Sequence, residues 1–114
     1  MNNNLTFGEA LEFTKKGRLI ARQGWNGKNM FVFMRPSDSI SVKTVVENIK
    51  SLPDAVKDHF RFKYKGYYLN EREGKHFEVK FNEYLCMKAA DDTIVNGWLA
   101  SQTDLLASDW CVLD

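Results

Sequence analysis

Two hydrophobic periods run along this chain, and the switch between them constrains the fold more than any other feature. Phe7, Ala10, Leu11 and Thr14 recur at i, i+3, i+4 and i+7, which is one face of a helix. Later, Phe60, Phe62 and Tyr64 alternate with Arg61, Lys63 and Lys65, and Phe77, Val79 and Phe81 repeat that two-residue rhythm. Alternation of this kind marks half-buried strands. Helical spacing followed by strand spacing predicts an α+β fold: an antiparallel sheet with an N-terminal helix and short additional helices. The 114 residues fit a single domain. At that length roughly two thirds of the unfolded surface can be buried, so neither metal nor disulfide is required to hold a core.

Local punctuation places the elements. Thr6 with Glu9 forms a capping box, Lys15 and Lys16 suit the negative end of the helix dipole, and Gly17 stops the chain, giving a helix over 7–16. Arg18 to Gln23 and Met30 to Arg35 read as a hairpin around Gly24-Trp25-Asn26-Gly27-Lys28-Asn29, where Asn-Gly favours a type I′ turn. Pro36 and Ser37-Asp38-Ser39 end its second strand. Val45, Val46, Ile49 and Leu52 suggest a helix over 43–51, and Ser51 with Asp54 caps a third helix reaching about Phe60. The alternating run from Phe60 then reads as a strand, Asn70 to Lys75 as a charged turn, and Phe77 onward as a strand continuing to Met87. Asp91-Asp92-Thr93 is a turn. Ser101 with Asp104 caps a short helix over 102–108, and Trp110 to Leu113 is the last strand.

Charge and composition narrow the partners. Sixteen basic against fifteen acidic residues leave a net charge of +1, without the basic excess of a protein that lives on extended nucleic acid. A single small anion needs only two or three donors. Cys86 and Cys111 stand far apart with no Cys or His at ligand spacing, which predicts buried, inert thiols in a reducing, intracellular setting. No signal-peptide pattern and no apolar run of membrane-spanning length is present, so no membrane partner is expected. His59 and His76 lack partners at i+3 or i+4, and Asp91-Asp92 is the composition of a solvated turn, so no metal and no cofactor are expected. Neither a nucleophile elbow nor a phosphate-cradling glycine loop occurs. The expectation is a protein that is not an enzyme.

Three features point to binding instead. Trp25 sits at a hairpin tip beside Arg22 and Lys28, either as a stacking platform for a heterocycle or as a ring packed over the sheet or on another subunit. Trp98 leads into Ala100-Ser101-Gln102-Thr103-Asp104, where Ser101 and Asp104 cap a helix and Gln102 and Thr103 stand at its N-terminus. Phe7 occupies the first turn of the first helix, on its apolar face.

The strings Thr6-Phe7-Gly8-Glu9-Ala10-Leu11 and Ala21-Arg22-Gln23-Gly24-Trp25-Asn26-Gly27-Lys28-Asn29-Met30-Phe31 resemble the opening of the Thoeris anti-defence family of the second type, small phage and prophage proteins. Its closing signature resembles Met87-Lys88, Asp92-Thr93-Ile94-Val95, Trp98 through Asp104, and Asp109-Trp110. The chain departs from the family pattern at Asn96-Gly97-Trp98, where a single Pro often precedes the tryptophan. Residues 37–80 form a central insert, longer than in the shortest members.

The resemblance implies a molecular sponge. Such a protein binds the cyclic ADP-ribose-type signal of bacterial Thoeris immunity in the host cytoplasm, without cleaving it, and so keeps the effector silent. It also implies a homotetramer with shared pockets, and in some members binding of cyclic dinucleotides. Carried onto this chain, the implied ligand-binding residues are Phe7, Arg22, Trp25, Asn26, Lys28, Met30, Trp98, Gln102, Thr103 and Asp104. Trp25 and Phe7 would stack on the base. Asn26, Gln102 and Asp104 would hydrogen-bond ribose or base, and Arg22 and Lys28 would neutralise pyrophosphate. The alternatives are an enzyme that cleaves the signal, with Asp104 as its acid or base, and a protein that inhibits a host component directly.

Overall fold

Thr6 opens the first helix as its spacing predicts. Its hydroxyl accepts from the Glu9 amide (3.2 Å), and the Glu9 carboxylate accepts from the Thr6 amide (3.0 Å). The helix α1 (Phe7–Lys15) buries Ala10 and Thr14. It ends in a Schellman motif, with the Gly17 amide donating to the Thr14 carbonyl, the Arg18 amide donating to the Phe13 carbonyl, and Gly17 at φ 83°. The structure, a computed structural model, describes residues 3–25, 28–64 and 77–113. Chain contacts group residues 1–36 with 83–114 in one unit and residues 37–82 in a second.

The first unit carries α1 and a five-stranded antiparallel sheet. Its strands are β1 (Leu19–Arg22), β2 (Phe31–Arg35), β5 (Tyr84–Lys88), β6 (Ile94–Asn96) and β7 (Trp110–Leu113), in the order β6-β5-β2-β1-β7. Register aligns the core across the sheet: Ile20 pairs with both Val32 and Val112, and Val32 with Met87. Because side chains alternate across a strand, this row shares one face. Ile20, Val32 and Met87 join Ala10 and Trp110 in the buried cluster of the unit. Leu5 closes the β7 edge through paired bonds with Trp110, amide to carbonyl in both directions (2.9 and 3.1 Å). The short helix α4 (Gln102–Leu106) precedes β7.

The second unit pairs β3 (Asp38–Ser41) with β4 (Glu78–Phe81), antiparallel, with Ile40 opposite Val79. The helix α2 (Val42–Glu47) follows β3 directly, capped by the Ser41 hydroxyl, and buries Val42, Val45 and Val46. The helix α3 (Asp54–Tyr64) then runs past the point where a strand was expected.

Thus the α+β class, the N-terminal helix, the hairpin strands and the closing strand are present; the helix expected over 43–51 stops at Glu47, and three further local expectations are corrected. Residues 60–64 are helix, not strand. Phe60 and Tyr64 lie four apart on the half-buried face of α3, whereas Phe62 points away and is 70% exposed. Ser37-Asp38-Ser39 does not simply end β2, since Asp38 and Ser39 belong to β3. The run from Phe77 breaks at Asn82-Glu83, so β4 and β5 belong to different sheets. The Asn26-Gly27 turn and the charged turn over 70–75 lie outside the described residues. The strands flanking Asn26-Gly27 end at Arg22 and resume at Phe31, and Gln23–Trp25 coil into one 3₁₀ turn.

Two substitutions test this packing by urea denaturation. Trp110→Ala should cost about 3–5 kcal/mol, the scale of emptying a buried aromatic site. Phe62→Lys should change stability by less than about 0.5 kcal/mol. A large loss at Phe62 would restore the strand reading of that segment.

Candidate functional site

Trp110 is fully buried, and three aromatic rings meet its indole edge-on. Their centroids lie at 5.3 Å for Phe7, 5.4 Å for Trp25 and 6.4 Å for Trp98. Its Nε1–H donates to the Asp104 carbonyl at 2.9 Å, which satisfies the one polar atom of the ring and ties β7 to α4. Three of the aromatics expected at the site are therefore arranged around a fourth, Trp110, that was not among the expected ligand-binding residues.

Asp104 joins this core to a charged cluster. Its carboxylate oxygen Oδ2 accepts from the Ser101 hydroxyl (2.9 Å) and amide (3.3 Å), while Oδ1 accepts from Arg22 Nη1 (3.0 Å). Arg22 Nε donates to Asp109 Oδ1 (2.9 Å), and the Gly24 amide donates to Asp109 Oδ2 (3.1 Å). All three charged side chains are largely shielded, at 19% exposure for Arg22, 17% for Asp104 and 31% for Asp109.

The ionisation of the cluster follows from these contacts. Hydrogen bonds to Asp109 and then Asp104 raise the Arg22 pKa above its ordinary value. Burial pushes the Asp104 carboxyl up, but its bonds from Ser101 and Arg22 outweigh this and hold it below the usual carboxylate range. The Arg22 guanidinium, and further the Gly24 amide, hold Asp109 low as well. Both acids are charged at neutral pH.

Beside this cluster lies a pocket of about 230 Å³. Arg22, Trp25, Lys28 and Met30 line it together with Ala21, Gln23, Asn29, Cys111 and Leu113. Trp25 and Met30 are half-buried and also pack on the core, and Lys28 is exposed. Asn29 takes a left-handed backbone conformation (φ 54°), and its carbonyl accepts from Lys88 Nζ at 2.6 Å. Lys88 is further paired with Asp92 at 2.6 Å. The Cys111 thiol donates to the Ala21 carbonyl (3.3 Å), and burial pushes its pKa up.

The other residues expected at the site stand elsewhere. Phe7 and Trp98 pack on Trp110 rather than line this pocket. Gln102 and Thr103 are exposed on the first turn of α4, where the Ser101 hydroxyl already takes the Asp104 amide (3.1 Å). Asp104 is committed to Arg22 and Ser101. Asn26 lies outside the described residues. Gln23 and Asn29 were absent from the expected set although both sit in the opening string. Ala21, Cys111 and Leu113 reach the pocket through the pairing of β1 with β7, which puts Ala21 opposite Cys111.

A family model described as Tad2-like, the Thoeris anti-defense 2-like domain, matches residues 5–113. The chain belongs to this family. A protein of Bacillus phage SP01 named Thoeris anti-defense 2 is 36% identical over 113 residues, which cover 99% of each chain. The family match runs through residues 37–82 as well as through the unit that carries the pocket. At the Asn96-Gly97-Trp98 departure Gly97 turns at φ 70°, a value that proline cannot adopt.

The charged cluster makes stability depend on acid. A carboxyl whose pKa is depressed by folding contributes fully above its unfolded value, about 3.9 for Asp, and loses that contribution as pH falls through the folded value. Thermal melts should therefore be nearly level from pH 7 to about 5 and fall below about pH 4. In Arg22→Met the melting temperature at pH 7 should be lower and its decline into acid shallower.

Proposed function

We propose that this protein is a phage-type anti-defence sponge. It binds a cyclic ADP-ribose-type nucleotide in the pocket beside Trp25 and holds it without cleavage, in the cytoplasm of the bacterial host, so that Thoeris immunity is not triggered. The observation that carries the reading is a half-buried indole on an open pocket whose rim also offers Lys28, Gln23 and Asn29. An aromatic wall suits a nucleobase, and the polar rim suits ribose and phosphate. Family membership supports the anti-defence role.

Charge in the pocket is distributed unevenly. Arg22 is already balanced by Asp104 and Asp109, so Lys28 is the cation left for a phosphate among the described pocket residues. Affinity then comes mainly from stacking and hydrogen bonds. The volume of 230 Å³ is below the roughly 300 Å³ at which small-molecule pockets usually begin. It accommodates part of a nucleotide, and in this proposal a homo-oligomer, a tetramer by family resemblance, supplies the rest. Ile94, Val95, Leu99 and Leu106 are exposed in the same unit and offer apolar surface for such contacts. Cyclic dinucleotides are a second ligand class within the same proposal.

The enzymatic alternative is disfavoured by the state of Asp104. A carboxylate held ionised by Arg22 and Ser101 has no proton to give at neutral pH, and its oxygens are occupied.

Calorimetry against cyclic ADP-ribose isomers and cyclic dinucleotides, followed by heat denaturation and mass analysis, tests the proposal. The nucleotide should be recovered intact in stoichiometric amount. Loss beyond stoichiometry would establish the enzyme, and capture of a host protein with no nucleotide present would favour direct inhibition. Trp25→Ala should weaken binding by about 1–3 kcal/mol, between about fivefold and about 150-fold, while unfolding stays cooperative. Unchanged affinity would place the site elsewhere.

A further inference from the structure

Asp109 makes three bonds to the segment that forms one wall of the pocket. Its Oδ1 accepts from Arg22 Nε (2.9 Å), its Oδ2 accepts from the Gly24 amide (3.1 Å), and its backbone carbonyl accepts from the Gln23 amide (3.0 Å). These three partners are consecutive in the chain, and the residue that follows them is Trp25. The 3₁₀ turn Gln23–Trp25 is too short to hold itself, since such turns have poor internal hydrogen-bond geometry. Its amides are therefore anchored from beside the neighbouring strand β7, by a residue that precedes the fully buried Trp110 in the chain.

Position 24 shows how close this approach is. A Cβ placed on Gly24 would come within 3.2 Å of Asp109 Oδ2, a contact that forces the carboxylate to give way. The carboxylate thus sits against position 24 with less room than a side chain there would ordinarily have. Asp109 itself does not line the pocket, although Arg22, Gln23 and Trp25 do.

We infer that Asp109 is the positioning residue of the pocket: it fixes the Arg22 guanidinium and the turn bearing Trp25, so that the heterocycle of a nucleotide meets a preformed wall. The inference rests on the pocket reading above for its ligand, but not for its geometry. Preorganisation of this kind removes an ordering cost that the ligand would otherwise meet on binding. Asp109→Asn keeps the shape and one acceptor but removes the charge that holds the guanidinium. Asp109→Glu restores the charge with a longer reach.

Two readouts separate this claim from the ligand assignment. Without ligand, nitrogen-15 NMR of the full chain should show the Arg22 Nε–H, the Gly24 amide and the Trp25 indole N–H shifted or broadened in Asp109→Asn, while the Ile20 and Val32 amides stay in place. Gly24→Ala should move the Arg22 Nε–H and the Trp25 indole N–H likewise with Asp109 intact, and it serves if Asp109→Asn does not fold. With ligand, Asp109→Asn should bind the cyclic ADP-ribose isomer preferred by the wild type at least about tenfold more weakly, the scale of one charge-assisted hydrogen bond. Asp109→Glu should recover part of that loss. Unmoved Arg22 Nε–H and Trp25 indole signals in both variants, or wild-type affinity in a variant whose signals have moved, would overturn the inference. A wild-type protein that binds no nucleotide of the panel defeats the proposed ligand, and the NMR pattern still decides the role of Asp109.

Discussion

The buried indole of Trp110 is the contact on which both fold and pocket depend. Phe7 from α1, Trp25 from the 3₁₀ turn and Trp98 from the segment before α4 all meet it edge-on. Its single donor is satisfied by the Asp104 carbonyl. A ring that buries this much apolar surface dominates the energetics of a small unit, and the edge-on geometry adds to the area term. The elements converge on it because none of them is long enough to be stable alone. The helix α4 has five residues and the 3₁₀ turn three.

Polar bonds complete what the ring begins. Asp104 uses its backbone carbonyl for Trp110 and its carboxylate for Ser101 and Arg22, so one residue joins helix cap, core and charge cluster. Arg22 in turn stands between two acids on a partly shielded surface. Removing one partner of such a group leaves charge without compensation, which costs more than the net worth of the bond. The pocket wall is therefore held by interactions whose loss is expensive, although each contributes modestly while intact.

Much of the fold was legible from local chemistry, and the failures share one cause. The first helix, the capping box at Ser101 and the final strand were readable because their signals lie within a few residues. The misreading at Phe60, Phe62 and Tyr64 arose because five residues of alternation fit two periods. What decides between them is the wider frame: no breaker lies between Pro53 and Tyr64, and Lys57, Phe60 and Tyr64 fall on one helical face. The strand β3 was missed because Asp38-Ser39-Ile40-Ser41 has a single apolar side chain. It exists through its pairing with Glu78–Phe81, about forty residues away, and no local pattern carries such a partner.

The candidate site divides along the same line. Arg22, Trp25, Lys28 and Met30 lie within one short stretch, so a reading of that stretch could group them, and the structure sets them along one pocket. The pairing of Arg22 with Asp104 and Asp109 spans more than eighty positions and could not be read that way. That pairing changes the chemistry attributed to Arg22. Read in sequence, it is a free cation for pyrophosphate, whereas in three dimensions its charge is already met and its fixed guanidinium helps shape the wall. Asp109, quoted from sequence only as part of the closing Asp109-Trp110 string, sits so close to the turn that a Cβ at position 24 would stand 3.2 Å from its Oδ2. The shape of the pocket wall thus depends on Asp104 and Asp109, which do not line it, as well as on the side chains that do.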